Sequence, residues 1–184
     1  MDIESLLNTS YWFDYQQFYT EIANRRYETL VEVGVWKGHS ISFLARKIKE
    51  LGYEPKIYAV DLFEDAIEEE WNKNLKEEIS LITDIYNKVL ENNEVRDMIT
   101  DVKGLSWEMA NNFEDNSIDF VFVDAGHEYE SVVKDINAWL PKIKKGGIIS
   151  GHDYFNPCGV KQAVDELIDG VKFSNDRIWY KEII

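Results

Sequence analysis

The sequence predicts an α/β protein with a mostly parallel sheet covered by helices on both faces. Short, near-continuous runs of apolar and β-branched residues recur at 29–33, 56–60, 118–123 and 147–150, with a weaker run at 97–102. Such runs are typical of strands that are buried on both faces. Stretches with helical spacing alternate with them, and this alternation favours parallel strands joined by helical crossovers.

Three helical stretches carry their apolar residues at intervals of three and four. The first covers residues 41–51, and we expect Ser40 to cap its start and Gly52 to end it. Pro141 closes the second stretch and Gly170 the third. Residues 171–184 read as a hairpin with its turn at 175–176, which predicts an antiparallel strand at the end of the sheet.

The length of 184 residues suits one domain, so we expect residues 1–184 to form a single unit. Two segments are additional to a minimal α/β unit. Residues 1–27 are expected to form an aromatic helical cap, and residues 64–93 an acidic helical insertion. Either segment would cover the strand ends, where ligands bind in open α/β sheets, or would only pack its aromatic side chains on the core.

A formal charge of −15 argues against nucleic acid and anionic membranes as main partners, since both attract basic surfaces. A small neutral or cationic molecule fits better, and a homo-oligomer is compatible with the sequence. The single cysteine, Cys158, excludes an internal disulfide. With no secretory pattern at the start and no apolar run of about 20 residues, we expect a cytoplasmic protein.

The first predicted strand runs into a turn with Glu32, Gly34 and Gly38. Gly34 would allow a tight turn and Gly38 a close backbone approach, with a helix N-terminus facing a ligand. The spacing differs from the dinucleotide pattern, in which glycines at the first, third and sixth positions seat a pyrophosphate. This looser loop suits a ligand that has a carboxylate but no pyrophosphate.

Asp61 ends the second predicted strand, 27 residues after Gly34. A carboxylate at this position can accept hydrogen bonds from both hydroxyls of a ribose. A helix cap or a solvated turn would explain Asp61 equally well.

Longer motifs occur in the second half of the chain: Val-Asp-Ala-Gly-His-Glu-Tyr at 123–129, Asp135, Trp-Leu-Pro at 139–141, and Gly-Gly-Ile-Ile-Ser-Gly-His-Asp-Tyr at 146–154. With the glycine turn and Asp61, they resemble the class I S-adenosylmethionine-dependent methyltransferases over nearly the whole chain. The likeness is greatest to small-molecule O-methyltransferases of the catechol, macrolide-sugar and coumarin types. It implies a Rossmann-like, doubly wound, seven-stranded sheet with an antiparallel C-terminal strand.

The resemblance also implies a cofactor site for S-adenosylmethionine. Asp61 would hold the ribose, while Ser106 and Trp107 would meet the adenine edge; ordinary helix packing is the alternative for Trp107. Asp124 would lie near the transferred methyl group. The methionine part would lie on the turn after the first strand, formed by Glu32, Gly34, Val35, Trp36, Lys37 and Gly38.

The expected catalytic residues are Asp124, His127 and His152. In catechol-type enzymes a lysine three residues after the strand-four acid acts as general base, and His127 stands at that offset here. A histidine with its ordinary pKa of about 6.5 could accept a hydroxyl proton near neutral pH. The alternative is that His127 only satisfies a turn or packs on Tyr129.

Related enzymes also place two oxygen ligands after the fifth strand to complete a magnesium site. Here His152 replaces the first of them, which disfavours Mg²⁺ because hard cations prefer oxygen. Asp124, His152 and Asp153 would suit Mn, Fe or Zn. Metal-free catalysis, with His127 and His152 flanking the acceptor, is the other hypothesis.

The predicted function is O-methylation of a small molecule such as a sugar, a polyol or a secondary metabolite. N-methylation of a small amine is the runner-up, followed by a metal-dependent hydroxylase or hydrolase. A non-catalytic nucleotide-binding module of the same fold is the alternative outside enzymes, and the presence of Asp61 and both glycines disfavours it.

Overall fold

The computed structural model describes residues 3–7, 13–63, 79–155, 159–174 and 177–184. Its sheet contains seven strands: β1 (Thr29–Val33), β2 (Lys56–Asp61), β3 (Ile99–Lys103), β4 (Ile118–Val123), β5 (Ile143–Gly151), β6 (Lys172–Phe173) and β7 (Trp179–Glu182). Their spatial order is β3-β2-β1-β4-β5-β7-β6. Strands β1 to β5 are parallel, and β7 runs antiparallel to both β5 and β6.

This topology confirms the predicted Rossmann-like sheet and its antiparallel end. The turn predicted at 175–176 lies outside the described residues. Strand β5 begins four residues before the predicted run, and its register with β4 shifts between Ile118 and Phe120. Strand β3 begins at Ile99 because Arg96–Met98 forms a 3-10 turn.

The described helices are α1 (Ile3–Leu6), α2 (Gln16–Asn24), α3 (His39–Glu50), α4 (Ile82–Asn92), α5 (Ser106–Met109), α6 (Tyr129–Trp139) and α7 (Val160–Leu167). The prediction that Ser40 caps α3 is wrong. Gly38, in the left-handed conformation, occupies the N-cap, so Ser40 lies inside the first turn. Residues 64–78 of the predicted insertion lie outside the described part, and α4 forms most of the remainder.

Helices cover both faces of the sheet. Phe120 and Phe122 of β4 pack on the side of α2, α3 and α4, whereas Val121 and Val123 pack on the side of α6 and α7. Because successive side chains of a strand point to opposite faces, a strand buried on both sides reads as one continuous apolar run. Within the described residues, no helix is long and apolar enough to cross a membrane.

Candidate active site

Four of the predicted site residues meet at one edge of the sheet. Asp61 is the last residue of β2, while Gly34, Asp124 and His152 directly follow β1, β4 and β5. Parallel strands end at the same edge, which is where open α/β sheets bind ligands. The edge divides into the glycine loop, residues 34–38, and a histidine–aspartate cluster formed by Asp124, His127, His152 and Asp153.

Both glycines of the glycine loop have left-handed backbone conformations, with φ of +82° at Gly34 and +78° at Gly38. A Cβ atom on Gly34 would lie 2.2 Å from the carbonyl oxygen of Asp124, and one on Gly38 would lie 2.7 Å from Cδ2 of Tyr86. The sequence predicted only a tight turn at Gly34. The structure shows that Gly34 also allows the ends of β1 and β4 to touch.

Asp61 binds the backbone of the glycine loop through its carboxylate. Its Oδ2 accepts hydrogen bonds from the backbone N–H groups of Val35 at 2.8 Å and Trp36 at 3.1 Å, and its Oδ1 accepts one from Phe63 at 2.8 Å. Burial raises the pKa of Asp61, and these backbone bonds oppose the rise. Sequence reasoning missed this bracing role; the contact with ribose stays a prediction.

Glu32 is buried on β1, and its hydrogen-bond partners among the described residues are neutral hydroxyls. Its Oε2 accepts a hydrogen bond from the Tyr19 hydroxyl at 2.7 Å, and its Oε1 accepts one from the Ser40 hydroxyl. Among the described residues, no cationic side chain forms an ion pair with it. Burial raises the pKa of Glu32 to about 8, although both hydroxyls lower it. Most Glu32 side chains therefore hold a proton at neutral pH.

The remaining predicted cofactor residues have other contacts as well. Lys37 is buried, and its Nζ lies 3.5 Å from the carbonyl oxygen of Leu6. The Ser106 hydroxyl accepts a hydrogen bond of 2.8 Å from Nε1 of Trp139. The Lys134 ammonium lies 4.7 Å from the centre of the Trp107 ring. These contacts leave the adenine roles of Ser106 and Trp107 as predictions.

Asp135 of the sequence motif is fully buried on α6. Burial raises its pKa to about 7, against the opposing effects of the Ser106 hydroxyl and the Lys134 ammonium. Asp135 is therefore influenced by Ser106 and Lys134, and neither of its buried carboxylate oxygens has a hydrogen-bond partner among the described residues.

The histidine–aspartate cluster is held together by close nitrogen–oxygen contacts. Nε2 of His127 lies 2.9 Å from Oδ2 of Asp153 and 3.8 Å from Oδ1 of Asp124. Nδ1 of His152 lies 3.3 Å from Oδ1 of Asp153 and 3.9 Å from Oδ1 of Asp124. The structure thus brings together all four residues that the sequence predicted for catalysis and metal binding.

The contacts in the cluster determine its charges. Burial lowers the pKa of His127, but hydrogen bonds and attraction to Asp124 and Asp153 outweigh it and raise the pKa to about 10. Burial raises the pKa of Asp153, but hydrogen bonds from His127 and His152 outweigh it and hold that pKa well below its usual range. The expectation of a His127 pKa near 6.5 does not hold, because two carboxylates stabilise the imidazolium.

Two backbone features fix the cluster. Asp153 adopts a left-handed φ of +60°, which is strained for a residue with a Cβ and turns its carboxylate toward His127. The N–H group of Gly159, the N-cap of α7, donates a hydrogen bond of 2.9 Å to the carbonyl oxygen of His127. The cluster borders a pocket lined by Val123, Asp124, Ala125, Gly126, His127, Val132, His152, Val160 and Trp179.

The segment before α2 adds two residues that sequence reasoning missed. Oδ1 of Asp14 lies 3.2 Å from Nε2 of His152. The Tyr15 hydroxyl donates a hydrogen bond of 3.4 Å to Oδ2 of Asp124, and its ring lies 5.2 Å from the ring of His152. The sequence offers no local signal for these contacts, because the partners lie more than 100 residues apart.

Three members of the cluster could hold a cation. Asp124, His152 and Asp153 each offer one ligand atom, and these atoms all lie within 4.8 Å of one another. The set contains one imidazole nitrogen and two carboxylate oxygens, which suits borderline transition metals better than magnesium.

The glycine loop, Asp61 and the histidine–aspartate cluster all fall within residues 31–154, the range matched by a methyltransferase-domain family. The chain belongs to this family. The match confirms the prediction of a class I S-adenosylmethionine-dependent methyltransferase, and the sheet order is consistent with it. No curated protein sequence matches the chain.

Solved structures of O-methyltransferases share the fold at low identity. The O-methyltransferase NovP is 18% identical with a TM-score of 0.68, over 91% of this chain and 77% of that chain. TomG from Streptomyces achromogenes, solved with S-adenosylmethionine, is 11% identical with a TM-score of 0.63, over 92% and 79%. CalS11, a TDP-rhamnose 3′-O-methyltransferase, is 18% identical with a TM-score of 0.61, over 91% and 76%.

Proposed function

We propose that this methyltransferase transfers the methyl group of S-adenosylmethionine to a hydroxyl oxygen of a small molecule. The observation that carries the proposal is the contact between the glycine loop and the histidine–aspartate cluster, where a Cβ on Gly34 would lie 2.2 Å from the Asp124 carbonyl oxygen. A cofactor on the loop and an acceptor at the cluster would therefore be neighbours. In the reaction, the carbon–sulfur bond breaks as the carbon–oxygen bond forms, and the hydroxyl proton passes to a base.

The charge of Glu32, two residues before the glycine loop, also supports this cofactor. Glu32 is a buried carboxylate whose described partners are neutral hydroxyls, so a nearby cation would stabilise its ionised form. S-Adenosylmethionine brings two positive charges, on its sulfonium and its amino group. Calorimetric titration with S-adenosylmethionine, S-adenosylhomocysteine and NAD tests this step, because binding of NAD alone would contradict the assignment.

The cluster favours an oxygen nucleophile because a hydroxyl must lose its proton during transfer, whereas a neutral amine loses its proton afterwards. Carboxylate oxygens of Asp153 and Asp124 lie 2.9 and 3.8 Å from Nε2 of His127, so a proton that His127 takes from a hydroxyl would be stabilised by two carboxylates. The same carboxylates would attract a cationic amine, so N-methylation is the second candidate. A panel of hydroxylated sugars and phenols, each with its amine analogue, separates the two through formation of S-adenosylhomocysteine.

His127 is the proposed base. Since Asp124 and Asp153 raise its pKa to about 10, the neutral imidazole becomes more abundant as pH rises, and turnover without a metal should rise toward alkaline pH. His127→Gln removes the proton acceptor and should lower turnover by about 10²–10⁴-fold. Tyr129→Phe is the matched control, because it removes a hydroxyl only two residues away, at the start of α6, that faces Glu166. A rate for His127→Gln within a few-fold of wild type would assign the base elsewhere.

We also propose that Asp124, His152 and Asp153 bind a divalent cation, with Mn, Fe or Zn preferred to Mg. Such an ion would act as a Lewis acid toward the acceptor hydroxyl and would weaken the hold of the carboxylates on the His127 proton. Chelation should then abolish turnover, and a transition metal should restore it better than magnesium. Full activity after chelation, with no metal found by elemental analysis, would instead favour His127 and His152 acting alone.

A further inference from the structure

His152 presents its two ring nitrogens to different groups. The ring is buried at the end of β5, with Nδ1 facing Asp153 at 3.3 Å and Asp124 at 3.9 Å. Its Nε2 faces away from that pair and lies 3.2 Å from Oδ1 of Asp14. Asp14 belongs neither to the sequence motifs nor to the metal ligand set, and it lies before the range that the family matches.

The partner of one imidazole nitrogen decides what the other can do. A neutral ring carries one proton, and only the nitrogen without it can bind a metal. A carboxylate that accepts the proton of the outer nitrogen fixes the ring orientation and makes the inner nitrogen a better ligand. Asp14 stands in this position relative to His152, since it faces Nε2 and leaves Nδ1 directed at Asp124 and Asp153.

Asp14 is itself held from two directions. Its second oxygen, Oδ2, lies 3.6 Å from Nη1 of Arg177, so its two carboxylate oxygens face different partners. The neighbouring rings of Phe13 and Tyr15 are 4.9 Å apart, and Tyr15 stacks on Phe122 at 4.8 Å. Although Asp14 is about half exposed, its neighbours anchor the segment against the core.

We propose that Asp14 is a positioning residue of the metal site, which holds His152 with the proton on Nε2 and Nδ1 directed at the cation. This inference rests on the proposed metal site. It gives the segment before α2 a function in the site and explains how a histidine serves as ligand there. It also predicts selectivity, because the orientation of a nitrogen donor matters for Co²⁺ or Zn²⁺ and little for Mg²⁺.

The test is calorimetric titration of the full chain with Co²⁺, Zn²⁺ and Mg²⁺. Asp14→Ala should weaken Co²⁺ and Zn²⁺ binding by about 10–100-fold, the usual effect of removing such an outer partner. Asp14→Asn should lose less, because its amide oxygen can still accept the Nε2 proton. Glu50→Ala is the matched control, since it removes one carboxylate on the exposed end of α3 and changes the net charge equally.

His152→Ala separates failure of this inference from failure of the metal site. If His152→Ala loses Co²⁺ binding while Asp14→Ala binds like wild type, the role of Asp14 is overturned and the metal site stands. If wild type binds no cation, both are overturned. Thermal melting and S-adenosylmethionine titration of each variant show whether the fold and the cofactor site are intact. Equal losses of Co²⁺ affinity in Asp14→Ala and Glu50→Ala would show that net charge causes the effect, and would overturn the role of Asp14.

Discussion

Glu32 and Asp153 are buried carboxylates at the same edge of the sheet, yet their pKa values move in opposite directions. The Glu32 pKa rises to about 8, whereas the Asp153 pKa falls well below its usual range. Burial raises both, so the difference comes from their partners: two hydroxyls at Glu32 and two histidines at Asp153. The surroundings of Glu32 would thus stabilise positive charge on a ligand, whereas the histidine–aspartate cluster already contains its own positive charge.

The largest expected effect comes from separating the glycine loop from the histidine–aspartate cluster at Gly34, where their backbones touch. Gly34→Ala places a Cβ 2.2 Å from the Asp124 carbonyl oxygen, in a left-handed backbone, and should cost more than about 3 kcal/mol of unfolding free energy. Gly52→Ala is the control, because its φ is +67° with no atom within 4 Å of the added Cβ. It should cost only about 1 kcal/mol.

Urea unfolding of both glycine variants provides the measurement. If Gly34→Ala is no less stable than Gly52→Ala, the backbones of Gly34 and Asp124 are not in contact. The proposal that cofactor and acceptor bind next to each other would then lose its structural basis.

An intermediate effect is expected from the charge of Glu32. Its folded-state pKa of about 8 exceeds the ordinary value of 4.5, so its contribution to stability is complete below about pH 4.5 and is lost as pH rises through 8. Glu32→Gln removes this loss and should raise the unfolding free energy relative to wild type at pH 9, with a much smaller gain at pH 5. Denaturant melts at the two pH values give the difference.

Asp135 provides an independent version of the same measurement. Its pKa of about 7 also lies above the ordinary 3.8, so Asp135→Asn should stabilise the protein above pH 7 and not at pH 4.

A Glu32→Gln variant that loses stability equally at pH 5 and pH 9 would show that Glu32 is ionised and paired. The contrast between the pKa values of Glu32 and Asp153 would then disappear.

The smallest effects should distinguish the two tyrosines of the N-terminal segment. Tyr19→Phe removes a buried hydrogen bond of 2.7 Å to Glu32 and should cost about 1–2 kcal/mol. Tyr15→Phe removes a longer bond of 3.4 Å to Asp124 and should cost less than about 0.5 kcal/mol. Urea unfolding measures both free energies. A larger loss for Tyr15→Phe than for Tyr19→Phe would mean that Glu32 depends little on its hydroxyl partners, against the comparison with Asp153.

Local patterns were sufficient to predict the sheet and the residues at its edge. Strands β1 and β4 have the predicted bounds, because strands buried on both faces leave continuous apolar runs. Asp124 and His152 lie directly after such runs, and parallel strands end together; His127 and Asp153 were identified through the family resemblance, by their short offsets from these positions.

The missed residues depend on contacts that no local pattern encodes. Asp14 reaches His152 across 138 positions, and Tyr19 reaches Glu32 from a helix whose aromatic side chains also suit simple core packing. Ser40 was expected to cap α3, but a left-handed Gly38 takes that place and frees the Ser40 hydroxyl for Glu32. The predicted His127 pKa near 6.5 was wrong because the pKa depends on Asp124 and Asp153, and only the folded chain sets their distances from the imidazole.

The position of β7 has a consequence for the order in which the protein assembles. Strand β5 leads directly into His152 and Asp153, and its outer edge pairs with Trp179–Glu182, which follow α7 and β6 in the chain. Until those residues arrive, β5 exposes unpaired backbone N–H and C=O groups, and Gly151 lacks the Trp179 ring that packs against it. The edge of the sheet that carries the histidine–aspartate cluster therefore cannot reach its final form early in folding, and intermediates without β7 would present an open strand to other chains.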